Sequence, residues 1–163
     1  MRIIGIDYGD SRTGVAVSDP FGWTAQGLET IKGGVEIVVT RIVQLARQYE
    51  AGIIVVGYPV NMDGSVGFRA SHTDKFIEAL KQRIGGEIHN NRGGGNGNEG
   101  SGAVEIIKWD ERLTSVQASR VIAESGGRPT SRNVREKGRL DILSAAILLQ
   151  SYLDSIRPAA DKI

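Results

Sequence analysis

Three carboxylates in this sequence stand where solvation alone does not explain them. Asp7 closes the apolar run Ile3-Ile4-Gly5-Ile6, Glu111 follows Asp110 after the strand-like segment Val104 to Trp109, and Asp141 is surrounded by Leu140, Ala145 and Leu148. Two carboxylates about 5 Å apart at an effective dielectric near 20 repel by about 3 kcal/mol, so if these acids meet, something positive lies between them. Oxygen-only ligands suit Mg²⁺ or Mn²⁺, and Mg²⁺ binds through a few carboxylates together with waters and substrate phosphate. Two such ions can activate water and stabilise the leaving oxygen of an in-line phosphodiester displacement. Two alternatives stay open. Asp141 can instead complement the dipole near a helix start, for about 0.3 to 1 kcal/mol. Because side chains alternate along a strand, either Asp110 or Glu111 can point into a site.

A phosphate also needs cations. The net charge is +1, so any field attracting nucleic acid must be local. Between Arg128 and Arg139 five basic residues, Arg128, Arg132, Arg135, Lys137 and Arg139, face one acid, Glu136, immediately before Asp141. This stretch either holds a phosphate backbone or is a solvated helix face. Arg112 either touches phosphate or pairs with a neighbouring acid. Asn61 and Asp63 read as shaping a turn, with Gly64 supplying the permissive backbone. His72, on a helix surface, and His89, in a loop, read as solvated.

The elements that must position these groups can be read from periodicity. Three strand-like segments, Arg2 to Asp7, Thr13 to Ser18 and Gln26 to Ile31, are separated by turn-forming clusters and predict an antiparallel meander. Val35, Val38, Val39, Ile42, Ala46 and Tyr49 recur at helical spacing. The run Ile53-Ile54-Val55-Val56, bounded by glycines, predicts a strand buried on both faces, expected as the central parallel strand. A helix is expected from about Phe68 to Ile84. Residues 85 to 102 hold eight glycines and four asparagines in eighteen positions, with little to bury, and read as a flexible surface loop. After the strand at Val104 to Trp109, Thr114 and Gln117 offer a capping box for a third helix ending near Gly126-Gly127. A last helix is expected from about Asn133 to Leu153. Strands after crossover helices run parallel, giving an α/β domain: a mixed five-stranded sheet, an antiparallel hairpin flank plus parallel strands, with helices on both faces. Ligands of such sheets gather at the carboxyl ends of the parallel strands, where the polar segments at Asp7, Tyr58 to Gly64 and Asp110 to Arg112 fall.

At 163 residues, 40% hydrophobic and 24% charged, the chain has the size and composition of a single globular domain, 1–163. The longest charge-free stretches, 51–62 and 142–153, are twelve residues each, against about 20 for a membrane span. With no cysteine there is neither a disulfide framework nor a thiolate metal site. A cytoplasmic protein, with no membrane partner, is expected.

Gly5-Ile6-Asp7-Tyr8-Gly9, Gly14 to Pro20, Asn61-Met62-Asp63-Gly64, Asp110 to Thr114, Lys137 to Asp141 and Gln150 to Leu153 together resemble the YqgF family, also called RuvX. Its members are described as pre-16S ribosomal RNA nucleases, formerly proposed as Holliday junction resolvases. The resemblance runs from residue 1 to 154. It implies a ribonuclease H-like fold and a metal-dependent nuclease whose carboxylate triad falls on Asp7, Glu111 and Asp141. It also favours a ribosomal RNA precursor as substrate over branched DNA. The 85–102 segment is longer and richer in glycine than the family leads one to expect. Two rival readings compete with this one. The opening Gly5 to Gly9 also resembles the first phosphate loop of the actin and sugar-kinase superfamily, but such ATPases need two domains and a second loop. A binding module with the same fold that cuts nothing would gain from losing its clustered acids.

Overall fold

In this computed structural model, which describes residues 1–61, 63–65, 67–90, 104–112 and 134–157, strand β1 (Arg2–Asp7) sorts its side chains by alternation. Ile4 and Ile6 are buried in one apolar cluster and Ile3 in another, on the opposite face of the sheet. Strands β2 (Arg12–Ser18) and β3 (Ala25–Lys32) follow antiparallel, as the meander predicts. Helix α1 (Val35–Gln48) buries Val38, Val39, Ile42 and Ala46, the positions its spacing marks. It ends on Glu50, whose φ of 51° is the left-handed turn that closes many helices. Strand β4 (Ala51–Tyr58) then pairs parallel with β1, and β5 (Glu105–Asp110) parallel with β4. Helix α2 (Phe68–Asn90) connects toward β5, and α3 (Val134–Ile156) comes last among the described residues.

The strand order is β3-β2-β1-β4-β5. Strand β4, between β1 and β5 and parallel to both, is the central parallel strand that its apolar run predicts. Strand β1 takes the middle of the whole sheet, where the antiparallel and parallel halves join, and it alone has strands of both kinds as neighbours. Helices α1 and α2 cover the face bearing Ile4, Ile6, Val15, Val17, Ile54 and Val56, while α3 lies on the face bearing Ile3, Ala16 and Val55.

The two faces differ in bulk. On the α3 side the strands carry Gly5 and Gly14 among their inward positions, and a Cβ on Gly5 would stand 2.6 Å from the Leu149 Cβ. At Gly14 an added Cβ would overlap the carbonyl carbon and oxygen of Asp141. The helix thus seats backbone against backbone across β2, and Thr30 donates a hydrogen bond of 2.8 Å to the Gly138 carbonyl on β3's side.

The glycine-rich segment begins later than its composition implies. Helix α2 continues through Gly85 and Gly86 to Asn90, so His89 belongs to a helix and not to a loop. Two glycines cost roughly 1 kcal/mol each in a helix interior, a cost that a long helix seated on α1 can absorb. The remainder of that segment, 91–102, and the helix expected from Thr114 to Gly126 lie outside the described residues.

Candidate active site

Alternation decides where Asp7 points. Ile3, Gly5 and Asp7 share the face that α3 covers, so Asp7 ends β1 on the side where Asp141 arrives. Its Cα partner on β2 is Gly14, the residue against which the Asp141 backbone presses. Asp7 and Asp141 therefore flank one side-chain-free position. On the other side, Ile6 pairs with Val56, so one residue further along both strands come Asp7 and Gly57. A Cβ on Gly57 would lie 2.9 Å from the Glu111 Oε1. Glu111 leaves β5 on a turn in which its N–H donates 3.2 Å to the Tyr58 carbonyl.

The electrostatics agree with this convergence. Burial raises the proton affinity of Asp7 above the usual carboxylate range, and the negative charge of Asp141 raises it further. Burial likewise raises Glu111, with the charges of Asp7 and Asp110 adding to it. Asp141 is raised by burial and partly relieved by Arg12. Asp7 thus links the other two, raised by the charge of Asp141 and itself raising Glu111.

Asp110 has a different occupation. The Arg112 guanidinium grips it through Nε at 3.1 and 3.0 Å and through a terminal nitrogen at 2.7 Å, holding its carboxyl below the ordinary range. Of the two adjacent acids, Glu111 is the one turned toward Asp7. Arg112 is accordingly engaged by its neighbour, the second of the two roles open to it from sequence. Its other contact is a 3.5 Å hydrogen bond to the Asn61 carbonyl.

Asn61 and Asp63 build a turn, as read. Gly64 N–H donates to the Asn61 carbonyl at 2.8 Å, Ser65 N–H to Asp63 Oδ1 at 2.9 Å, and Gly64 takes a φ of 81°. His72 is half-buried and not alone, with Nδ1 3.1 Å from Asp10 Oδ1. Among the residues of the basic stretch, Arg139 is exposed on α3, Arg135 and Lys137 lie on α3 with side chains outside the described residues, and Arg132 is outside them altogether.

Two arginines not singled out from sequence belong to the site. Arg12, at the start of β2, places Nε 3.1 Å from Asp141 Oδ2. That oxygen is sealed from solvent yet receives no hydrogen bond among the described residues, the guanidinium lying too oblique to donate one. Exposed Arg69, the second residue of α2, lowers the proton affinity of both Asp7 and Glu111 by its charge. Only Arg12 left a trace in the sequence, as a lone cation directly after the polar loop Gly9 to Ser11. Arg69 and Glu111 line a cleft of about 330 Å³ with Pro59, Asn61, Phe68 and Arg112.

Whether these acids suit a divalent cation can be tested on the donors themselves. The set is all oxygen, the donor type of Mg²⁺ and Mn²⁺, and the sealed Asp141 Oδ2 accepts no hydrogen bond among the described residues, its charge being met by Arg12 alone. Among the described residues no three acidic or histidine side chains are gathered around one point. The donor chemistry fits, while Asp141 is drawn onto Arg12.

The family model described as "RuvX: Holliday junction resolvase" matches residues 1–155. A protein of Acetivibrio thermocellus, provisionally named a pre-16S rRNA nuclease, is 45% identical over 157 residues, covering 95% of this chain and 96% of its own. One from Ruminiclostridium cellulolyticum, under the same provisional name, is 44% identical over 158 residues, covering 96% of each chain. Among solved structures, T. thermophilus RuvC in complex with Holliday junction substrate superposes with a TM-score of 0.53 at 14% identity, covering 96% of both chains. The Fowlpox virus resolvase in complex with substrate Holliday junction DNA gives 0.52 at 14% identity, covering 97% of this chain and all of that one. At such identity the likeness is one of fold, the ribonuclease H-like fold.

Proposed function

We propose, because this chain belongs to the RuvX family, that Asp7, Glu111 and Asp141 are its catalytic acids and hold Mg²⁺ or Mn²⁺ against a nucleic-acid phosphate. The protein is a nuclease, a hydrolase of phosphodiester bonds acting on nucleic acid. The observation that carries the assignment of residues is the placement of Asp7 between Asp141, across Gly14, and Glu111, beside Gly57. We assign the work to one domain, 1–163, and to the 5′ end of a pre-16S ribosomal RNA, pre-16S rRNA being what relatives at 44 and 45% identity are named for.

A divalent ion bound here would supply an activated water and charge neutralisation at the scissile phosphate. The chain's own part is to hold the acids in place. Asp7 is fixed by the end of β1, Glu111 by the hydrogen bond to Tyr58, and Asp141 by the seat of α3 on Gly14. Arg12 holds Asp141 as its counter-ion, the place a bound divalent cation would take. Arg69 offers a positive charge at the cleft wall where a phosphate oxygen would lie, and Arg112 a second one on exchange of partner. The basic stretch Arg132, Arg135, Lys137 and Arg139 is assigned to the phosphate backbone on its charge alone. No helix among the described residues is long and apolar enough to cross a membrane, and a ribosomal RNA substrate places the activity in the cytoplasm.

The deciding assay offers a pre-16S 5′ segment and a four-way DNA junction, each with Mg²⁺, Mn²⁺, Ca²⁺ or chelator. Cleavage of the RNA with Mg²⁺ or Mn²⁺ is expected. Ca²⁺ should bind without supporting turnover, because its longer, looser coordination positions the attacking water poorly. Turnover in excess chelator would remove the metal from the mechanism, and cleavage of the junction alone would change the substrate. Replacing Arg132 and Arg135 with glutamine is expected to weaken RNA binding. It should flatten the log–log salt dependence by about 0.7 to 0.9 per lost phosphate contact. An unchanged slope would make that stretch a solvated face.

A further inference from the structure

The first turn of α2 presents an aromatic ring with no apolar reason to be there. Phe68 is 78% exposed, yet it lines the same cleft as Glu111 and Arg69. One side of its ring is backed by His72, with centroids 4.4 Å apart and planes tilted by 50°. His72 is in turn tied to Asp10, in the loop that leaves Asp7. The ring is therefore oriented from behind and open toward solvent at the mouth of the cleft. An exposed phenylalanine gains nothing for the fold, since its neighbour Ala70 and not Phe68 supplies the buried contact of this turn.

We propose that Phe68 is a stacking platform for an unpaired nucleobase beside the scissile phosphate, so that the nuclease selects single-stranded nucleic acid at its cleavage point. The inference rests on the nuclease reading above and deepens it to a substrate class. An aromatic face set next to a cationic wall is the combination that binds single strands without sequence preference, the bases stacking while the backbone meets the charge. Arg69 supplies that charge, in sequence directly after Phe68 and in space on the same cleft. A paired base cannot use the platform, because its faces are already covered within the duplex stack, and extruding it costs a few kcal/mol. The cleft, about 330 Å³, is at the lower end of small-ligand sites, about the room one unit of a strand needs.

The test is a binding measurement in chelator, so that nothing is cut. Fluorescence anisotropy is read for a single-stranded RNA decamer, the same decamer made abasic, and its duplex. The protein is expected to prefer the decamer with bases to the abasic one and to the duplex. Phe68→Ala should weaken binding of the based strand by about 5- to 150-fold, the range of one lost stacking contact, and leave the abasic strand unchanged. Phe68→Trp should restore the preference. Equal binding of based and abasic strands, or a Phe68→Ala protein that keeps the preference, overturns the platform. Loss of binding to both strands in Phe68→Ala also overturns it, since stacking cannot account for the abasic loss. None of these results depends on cleavage. A failed platform with active nuclease, and a working platform on a protein that cuts nothing, are therefore distinguishable outcomes.

Discussion

Asp7→Asn is expected to abolish cleavage, lowering the rate by at least about two orders of magnitude, while making the metal-free protein more stable at neutral pH. The rate effect is of the size seen when a group that moves a proton or stabilises developing charge is removed. The stability effect follows from the raised proton affinity of Asp7, caused first by burial and then by Asp141. A carboxyl whose folded pKa lies above its unfolded value of 3.8 binds more protons in the folded state, so its ionisation costs stability as pH rises through that window. Below pH 3.8 the cost is absent, and above the raised value it is present in full. Asparagine removes it, so the gain in Tm should vanish in acid and be complete at neutral pH. Glu111→Gln should behave alike. Asp141→Asn should gain less, because it also dissolves the ion pair with Arg12. Mg²⁺ should reverse the order, since a ligand present at 100 times its Kd stabilises the binding protein by about 2.7 kcal/mol and a non-binding variant not at all. Cleavage by Asp7→Asn at the unsubstituted rate would take Asp7 out of the chemistry.

Two glycine substitutions should separate folding from catalysis. Gly14→Ala sets a methyl into the carbonyl carbon and oxygen of Asp141, backbone atoms that cannot swing aside without lifting α3 from β2. Overpacking of this kind costs typically about 1 to 3 kcal/mol and occasionally more, and here the upper end is expected, read as a fall in the urea midpoint at constant slope. Gly57→Ala meets Leu148 Cδ1 at 2.5 Å and Glu111 Oε1 at 2.9 Å, both ends of side chains that can turn away. Its cost in stability should stay below about 1.5 kcal/mol, but the relief displaces a proposed catalytic carboxylate. Cleavage should drop by more than tenfold in a protein that remains folded, in line with the roughly hundredfold losses that follow misplacement by about 1 Å. A Gly57→Ala protein of full activity would mean that Glu111 does not need its place beside β4.

The chain's local chemistry determined its elements. Alternation in Arg2 to Asp7, helical spacing from Val35 and the β-branched run before Gly57 each reflect which side chains can be buried by a strand or a helix, and this depends only on near neighbours. The acids were visible for the same reason, as charges at the ends of apolar segments. What the sequence left open, tertiary structure decided. Whether Asp110 or Glu111 faces Asp7 turned on Arg112, which grips the first and leaves the second to the site. The partners Arg12 and Arg69 come from different elements, separated from Asp141 and Glu111 by 129 and 42 positions, and no local pattern marks such a meeting. The apolar run of β4 marked it as the central parallel strand, but the middle place of β1 in the whole sheet depended on how the two kinds of pairing join. Helix α2 ran on through Gly85 and Gly86 because packing on α1 outweighed a propensity cost of about 1 kcal/mol per glycine. Composition counts residues one at a time, whereas burial against a neighbouring helix is a property of the folded whole.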